Sequence, residues 1–180
     1  MPRRRALLLA ALFASPASPR AAAAGEASPA APFRVEETAR LRVAARQLGW
    51  TVLRDRDAPA GAAETGLVLI RARRPVPPAA RPGHLAALLR NIRAFRFEGP
   101  LAEEPWPRHP SGLPAATLTA RGTSAQTRGP VVVRAVVLYG PARSVLAVAA
   151  APAGEWDALG PEFGALLGSL RAAGASGAAP

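Results

Sequence analysis

The chain has 180 residues, of which 49% are hydrophobic, 20 are proline, 16 are glycine and none is cysteine. That is enough apolar material for a packed core and too little proline and glycine for disorder throughout. The missing thiols exclude disulfide frameworks, thiolate metal sites, iron–sulfur clusters, cysteine nucleophiles and a lipidated N-terminal cysteine.

Residues 1–24 have the three-part layout of an export signal peptide. Arg3, Arg4 and Arg5 open it, an apolar run fills 6–14, and small residues at 21–24 suit a signal-peptidase cut. The run is shorter than the roughly 20 residues that span a bilayer, so the processed protein is expected in the periplasm or outside the cell. Arg4-Arg5-Ala6-Leu7-Leu8 resembles a twin-arginine signal, and a general secretory signal also opens on arginines, so both routes stay open.

Export changes the charge. Of the formal +11, four positive charges (Arg3, Arg4, Arg5, Arg20) leave with the signal, which carries no acid; 19 of 23 basic residues then face 12 acids, a net +7. Every basic residue is arginine, and they fall in separate groups: Arg40, Arg42 and Arg46; Arg71, Arg73 and Arg74; Arg90, Arg93 and Arg96. With 5% aromatics and no reading module, nucleic acid is excluded as a partner.

In chain order, residues 25–33 read as a flexible mature N-terminus. Residues 35–48 carry two patterns. Leu41, Ala44, Ala45 and Leu48 form a helical face that Gly49 would cap, while Leu41, Val43 and Ala45 alternate as in a strand; local propensity favours the helix. Residues 50–55 and 66–73 predict strands on either side of a polar turn, the second one apolar on both faces. After a run of prolines, Leu85, Leu88, Leu89 and Ile92, continued by Phe95, predict a helix over 83–96. Arg90, Arg93 and Arg96 would stripe its surface. The Pro-rich loop 97–112 concentrates Glu103, Glu104, Trp106 and His109, as a lid or binding loop does.

Three strands then follow. Residues 116–121 bury one face, 122–130 form a hairpin loop, and 131–139 and 144–150 are apolar strands joined by so short a turn that they must pair antiparallel. Trp156, Leu159, Phe163, Leu166, Leu167 and Leu170 trace a closing helix with Pro161 in its first turn. Residues 172–180 read as a disordered tail. The order predicts one α+β domain over 34–171, an antiparallel sheet sandwiched by helices.

Particular residues carry a family likeness. Gly49-Trp50 leads a strand, a helix lies at 83–96, and Leu113-Pro114-Ala115-Ala116 precedes a three-strand meander. Ala151-Pro152 leaves the last strand, and the closing helix ends in Leu166-Leu167-Gly168-Ser169-Leu170. Over about residues 40–171 this resembles the PsbP-like family. The resemblance implies an α/β/α sandwich and a noncatalytic role in protein binding and assembly. Where the commoner family pattern has a proline and an extended strand before Gly-Trp, this chain has Arg46-Gln47-Leu48.

Catalytic sets are missing. His84 and His109 are the only histidines, Ser111 lies in no nucleophile-elbow context, and a chain without lysine has no P-loop. Glu103, Glu104 and His109 offer metal-ligand chemistry at a spacing that matches no motif, and adjacent Glu103 and Glu104 point to opposite sides of an extended chain. No catalytic residue, metal or cofactor is expected. Trp50 and Trp156 belong to apolar faces, whereas Trp106, between Pro105 and Pro107, is the candidate partner anchor, with Arg90, Arg93 and Arg96 as candidate contacts. The expectation is an exported, noncatalytic accessory protein that binds an unknown envelope protein, its arginines also suiting a peripheral contact with an anionic membrane. The alternative is a small periplasmic enzyme or ligand carrier with a pocket under the 97–112 loop, which would bring His84 and His109 together.

Overall fold

A computed structural model describes residues 32–58 and 66–172. The export signal and most of both expected tails lie outside these residues. Ten strands are described: β1 Phe33–Arg34, β2 Leu41–Gln47, β3 Trp50–Asp55, β4 Leu67–Arg73, β5 Phe95–Phe97, β6 Glu104–Pro105, β7 Ala115–Ser124, β8 Pro130–Tyr139, β9 Ser144–Pro152 and β10 Arg171–Ala172. Two α-helices accompany them, α1 His84–Arg90 and α2 Trp156–Ser169. Among the described residues no helix is long and apolar enough to cross a membrane.

The main sheet runs in the order β2-β3-β4-β9-β8-β7-β5, with β6 also on β7, and every pairing is antiparallel. Strand alternation sorts its side chains into two cores. Val136, Leu138, Val145 and Ala147 face α2, where Leu159, Phe163, Leu166 and Leu167 cover them. Val133, Val137, Leu146 and Val148 face α1, which contributes Leu85, Ala86 and Leu89. A sheet buried on both faces needs strands apolar at every position, which is why β8 and β9 are nearly continuous Val, Leu and Ala. The result is an α+β domain of α/β/α layering, as expected.

The helix predicted over 35–48 is absent. Its place is taken by β2, which pairs with β3 through a hairpin whose turn residues Leu48 and Gly49 both have positive φ (51° and 76°). That is the geometry of a two-residue primed turn, whose twist suits antiparallel strands. Pairing with β3 overrides local propensity: Leu41 is fully buried, while Ala44 and Leu48, which a helix would bury, are exposed. The outer edge of β2 is blunted by side chains of the segment just before it, because Thr38 Oγ1 accepts the Leu41 N–H (3.1 Å) and Glu37 accepts the Val43 N–H (2.7 Å). A bulge between Val43 and Ala45 disrupts it further.

The helix predicted over 83–96 stops at Arg90, and Phe95 belongs to strand β5 instead. Phe95 and Phe97 alternate onto the α1-side core as β5 pairs with 122–124 of β7. Gly122 permits this approach, since a Cβ there would sit 2.4 Å from the Arg96 carbonyl oxygen. β7 therefore extends through part of the expected 122–130 loop. The closing helix begins at Trp156, which puts Pro161 in its second turn and not its first.

Both expected tails give up a residue to the fold. Phe33 pairs with Ala172 and Arg34 with Arg171 in a separate two-stranded ribbon, β1–β10, in which Phe33 and Ala172 are buried.

Candidate binding groove

The ribbon forms one wall of a cavity of about 510 Å³ whose other walls are the end of α2 and the β2–β3 hairpin. Phe33, Val35 and Val43 supply apolar lining, Thr51 and Ser169 supply hydroxyls, and Arg34, Arg46 and Arg171 bring three guanidinium groups to it. Ser169 Oγ accepts the Glu36 N–H (2.9 Å) and donates to the Leu166 carbonyl (2.7 Å), which ties the segment after β1 to the last turn of α2. Arg171 Nη1 donates to the Gly168 and Leu170 carbonyls (2.8 and 2.9 Å), orienting its side chain while satisfying helix-end acceptors.

The electrostatics of the groove are one-sided. Glu36 is its one lining acid, and among the described residues no carboxylate lies within ion-pair distance of Arg34, Arg46 or Arg171. The neighbouring arginines are committed elsewhere. Arg40 is paired with the buried Asp55, which holds its pKa above the ordinary value, and Arg42 is paired with Glu37 at 3.0 Å. Guanidinium groups beside hydroxyls and an apolar surface suit a carboxylate or phosphate attached to an apolar body.

The residues expected to make contacts do not converge. Trp106 is half-buried against the α2-side core, with the His109 ring edge-on at 4.7 Å and the Arg134 guanidinium 5.8 Å from its centroid. Arg90, Arg93 and Arg96 are exposed but form no helix stripe: Arg90 ends α1, Arg93 lies in the following turn and Arg96 is in β5. Arg96 pairs with Thr123, whereas the Trp106 N–H bonds to Ala115, so the two sit at opposite ends of β7, roughly 27 Å apart at the rise of an extended strand.

The groups considered for chemistry serve the fold. Glu103 accepts N–H bonds from Gly83, Leu85 (3.0 Å) and Ala86 (3.2 Å), so it caps α1 from twenty residues away and ties the Pro-rich loop to it. Glu104 is exposed in β6. His109 is buried: its Nε2 donates to the Leu167 carbonyl (3.1 Å) and its Nδ1 accepts the Ser111 N–H (3.1 Å), with Ser111 Oγ at 2.8 Å. Burial lowers its pKa, assisted by Arg171 and opposed by the Leu167 bond. His84 is likewise lowered, by burial and then by Arg73. It lies at α1, 5.9 Å from the Tyr139 ring, and burial together with Glu103 raises Tyr139 to about 12. His84 and His109 are on opposite faces of the sheet, so the geometry of one pocket holding both is not realised. Among the described residues no three His, Asp or Glu side chains gather where they could hold a metal ion.

Sequence reasoning missed Arg34, Arg46 and Arg171 as a group. Arg34 and Arg171 stand 137 positions apart at the two margins of the expected domain, and only the pairing of those margins joins them.

No family model and no curated protein sequence matches the chain. Solved structures do. Cyanobacterial PsbP (CyanoP) from Synechocystis sp. aligns with a TM-score of 0.51 at 11% identity, covering 83% of this chain and 98% of that one. A protein from Bacteroides thetaiotaomicron aligns with a TM-score of 0.49 at 12% identity over 81% of this chain, which spans 46% of that protein's length. LpqN of Mycobacterium tuberculosis, described as involved in cell envelope biogenesis, gives 0.45 at 16% identity, covering 77% of this chain and 82% of that one. The CyanoP alignment covers nearly the whole of that domain, and the chain has the PsbP-like fold.

Proposed function

We propose that this is an exported, noncatalytic accessory protein of the cell envelope, and that its groove binds an acidic segment of a protein partner. The observation that carries this reading is the convergence of Arg34, Arg46 and Arg171 on an apolar-lined cavity without an ion partner among the described residues. A guanidinium gains most from a carboxylate that meets it in bidentate geometry. Glu103, His109 and Ser111, the groups best suited to chemistry, already serve as a helix cap and a buried clasp. The export layout of residues 1–24 places the activity outside the cytoplasm in this reading.

A second reading rests on the same cavity. Its volume is within the range of small-ligand sites, so a carboxylate-bearing small molecule is the competing occupant. This relocates the expected ligand pocket from the 97–112 loop to the terminal ribbon.

Fluorescence anisotropy with a labelled peptide that alternates glutamate and apolar residues tests the proposal. Binding that weakens with salt and disappears in Arg34→Gln/Arg46→Gln supports it. Binding unaffected by both changes, or absent at low salt, removes it; capture of small carboxylates without peptide binding favours the carrier.

A further inference from the structure

The hairpin tip at Leu48 bears on a different surface. Leu48 is 68% exposed, the one large hydrophobic side chain so exposed among the described residues, and it sits in the left-handed region at φ 51°. A leucine there carries a backbone penalty and leaves most of its apolar side chain in solvent. Single exposed leucines are common, but this one has specific surroundings.

Three segments form the same end of the sheet: 46–50 at the β2–β3 turn, 71–83 at and beyond the end of β4, and 140–144 at the β8–β9 turn. The register fixes their proximity, since Thr51 pairs with Ile70 and Arg73 with Ser144. Together they contain six arginines and no aspartate or glutamate. Arg71, Arg73, Arg74 and Arg143 are exposed. Arg71 lies over the half-buried Trp50 ring, 5.4 Å from its centroid. Glu103, which caps α1 on that side, is occupied by three backbone N–H groups, and Glu36 lies with Arg46 on the groove. Asp55, Glu155 and Asp157 lie at the other end of the strands.

We infer that this end of the sheet docks on an anionic lipid surface, with Leu48 inserted among the acyl chains and the arginines at headgroup level. An apolar projection, a tryptophan beside it and a surrounding shell of arginines without acids are the three parts such a contact uses. An acidic protein would use the arginines and leave Leu48 without a role. The surface meets the groove at Arg46 and otherwise differs from it: Trp50 and the Arg71 that lies over it are on the α1 side of the sheet, whereas Arg34 and Arg171 are in the ribbon.

The absence of native cysteine makes the test direct. The full chain carrying Leu48→Cys, or Ala125→Cys at the opposite end of the sheet, is labelled with an environment-sensitive fluorophore and titrated with phosphatidylcholine vesicles with and without phosphatidylglycerol. The inference predicts a blue shift at position 48 with anionic vesicles alone and none at 125. Arg71→Gln, Arg73→Gln and Arg74→Gln should each weaken the response about fivefold, and Leu48→Asn, which tolerates the turn, should weaken sedimentation with vesicles. A label at 48 that stays unmoved, even when the chain sediments through its N-terminal segment, overturns the inference. So does an equal response at both positions. Retention on polyglutamate beads that is lost in Arg71→Gln/Arg73→Gln, without a vesicle response, assigns this end to an acidic protein instead.

Discussion

Arg34 and Arg171 are register partners in the β1–β10 ribbon, two arginines held opposite each other with no carboxylate in ion-pair range among the described residues. Like charges at directly opposed positions cost about 0.2–1 kcal/mol. Arg34→Gln should therefore raise the urea midpoint of the unliganded protein at low ionic strength, with the gain shrinking as salt is added. Arg171→Gln should not match it, because Arg171 also bonds two carbonyls at the end of α2. A loss of stability in Arg34→Gln would contradict the view that this pair is arranged for a ligand.

His109 makes stability depend on pH. Its folded-state pKa is lowered from an ordinary value of 6.5 by burial, so the unfolded chain takes up a proton first as pH falls. Stability should be full above about pH 6.5 and decline below it until the folded-state pKa is reached. His84 acts in the same direction. Urea midpoints measured between pH 7.5 and 5.5 should fall with acidification, and His109→Gln should flatten the profile, leaving the part that His84 contributes. A profile unchanged by that substitution would show that the ring is free to protonate in the folded state.

Gly122→Ala tests the packing of β5 on β7. The added methyl would meet the Arg96 backbone, and overpacking of this kind costs about 1–3 kcal/mol. Chemical denaturation should show that loss, with the amides of 95–97 the first to exchange. Retained stability and protection would mean that β5 shifts freely.

Glu103→Ala should cost about 1–2 kcal/mol, the worth of a helix cap, because it leaves N–H groups of Gly83, Leu85 and Ala86 without their acceptor. Hydrogen exchange should rise together in α1 and in the Pro-rich loop. Increased exchange in the loop alone would argue that the cap does not couple them.

The central architecture was legible because its strands are buried on both faces. Val, Leu and Ala runs in β8 and β9, and the β3 residues Trp50–Asp55, declare themselves without help from distant partners. β2 did not, since Leu41, Ala44, Ala45 and Leu48 match a helix as well as a strand until β3 is beside them. Phe95 misled for a related reason: its spacing continues the apolar side of α1, yet its burial comes through β5. Trp106 stood out by composition, but its half-burial against the α2-side core and the Arg134 guanidinium over its ring come from segments distant in sequence. The groove was least legible, for no local pattern links Arg34, Arg46 and Arg171.

Site-specific photo-cross-linking in the exporting cell tests the central claim most directly. A photoreactive residue at Glu36, on the groove, is compared with one at exposed Thr119 on β7, each with and without Arg34→Gln/Arg46→Gln. The account predicts one envelope protein captured from position 36, not from 119, and lost when the arginines are changed. Equal capture from both positions, or capture from 36 that persists without the arginines, would contradict it.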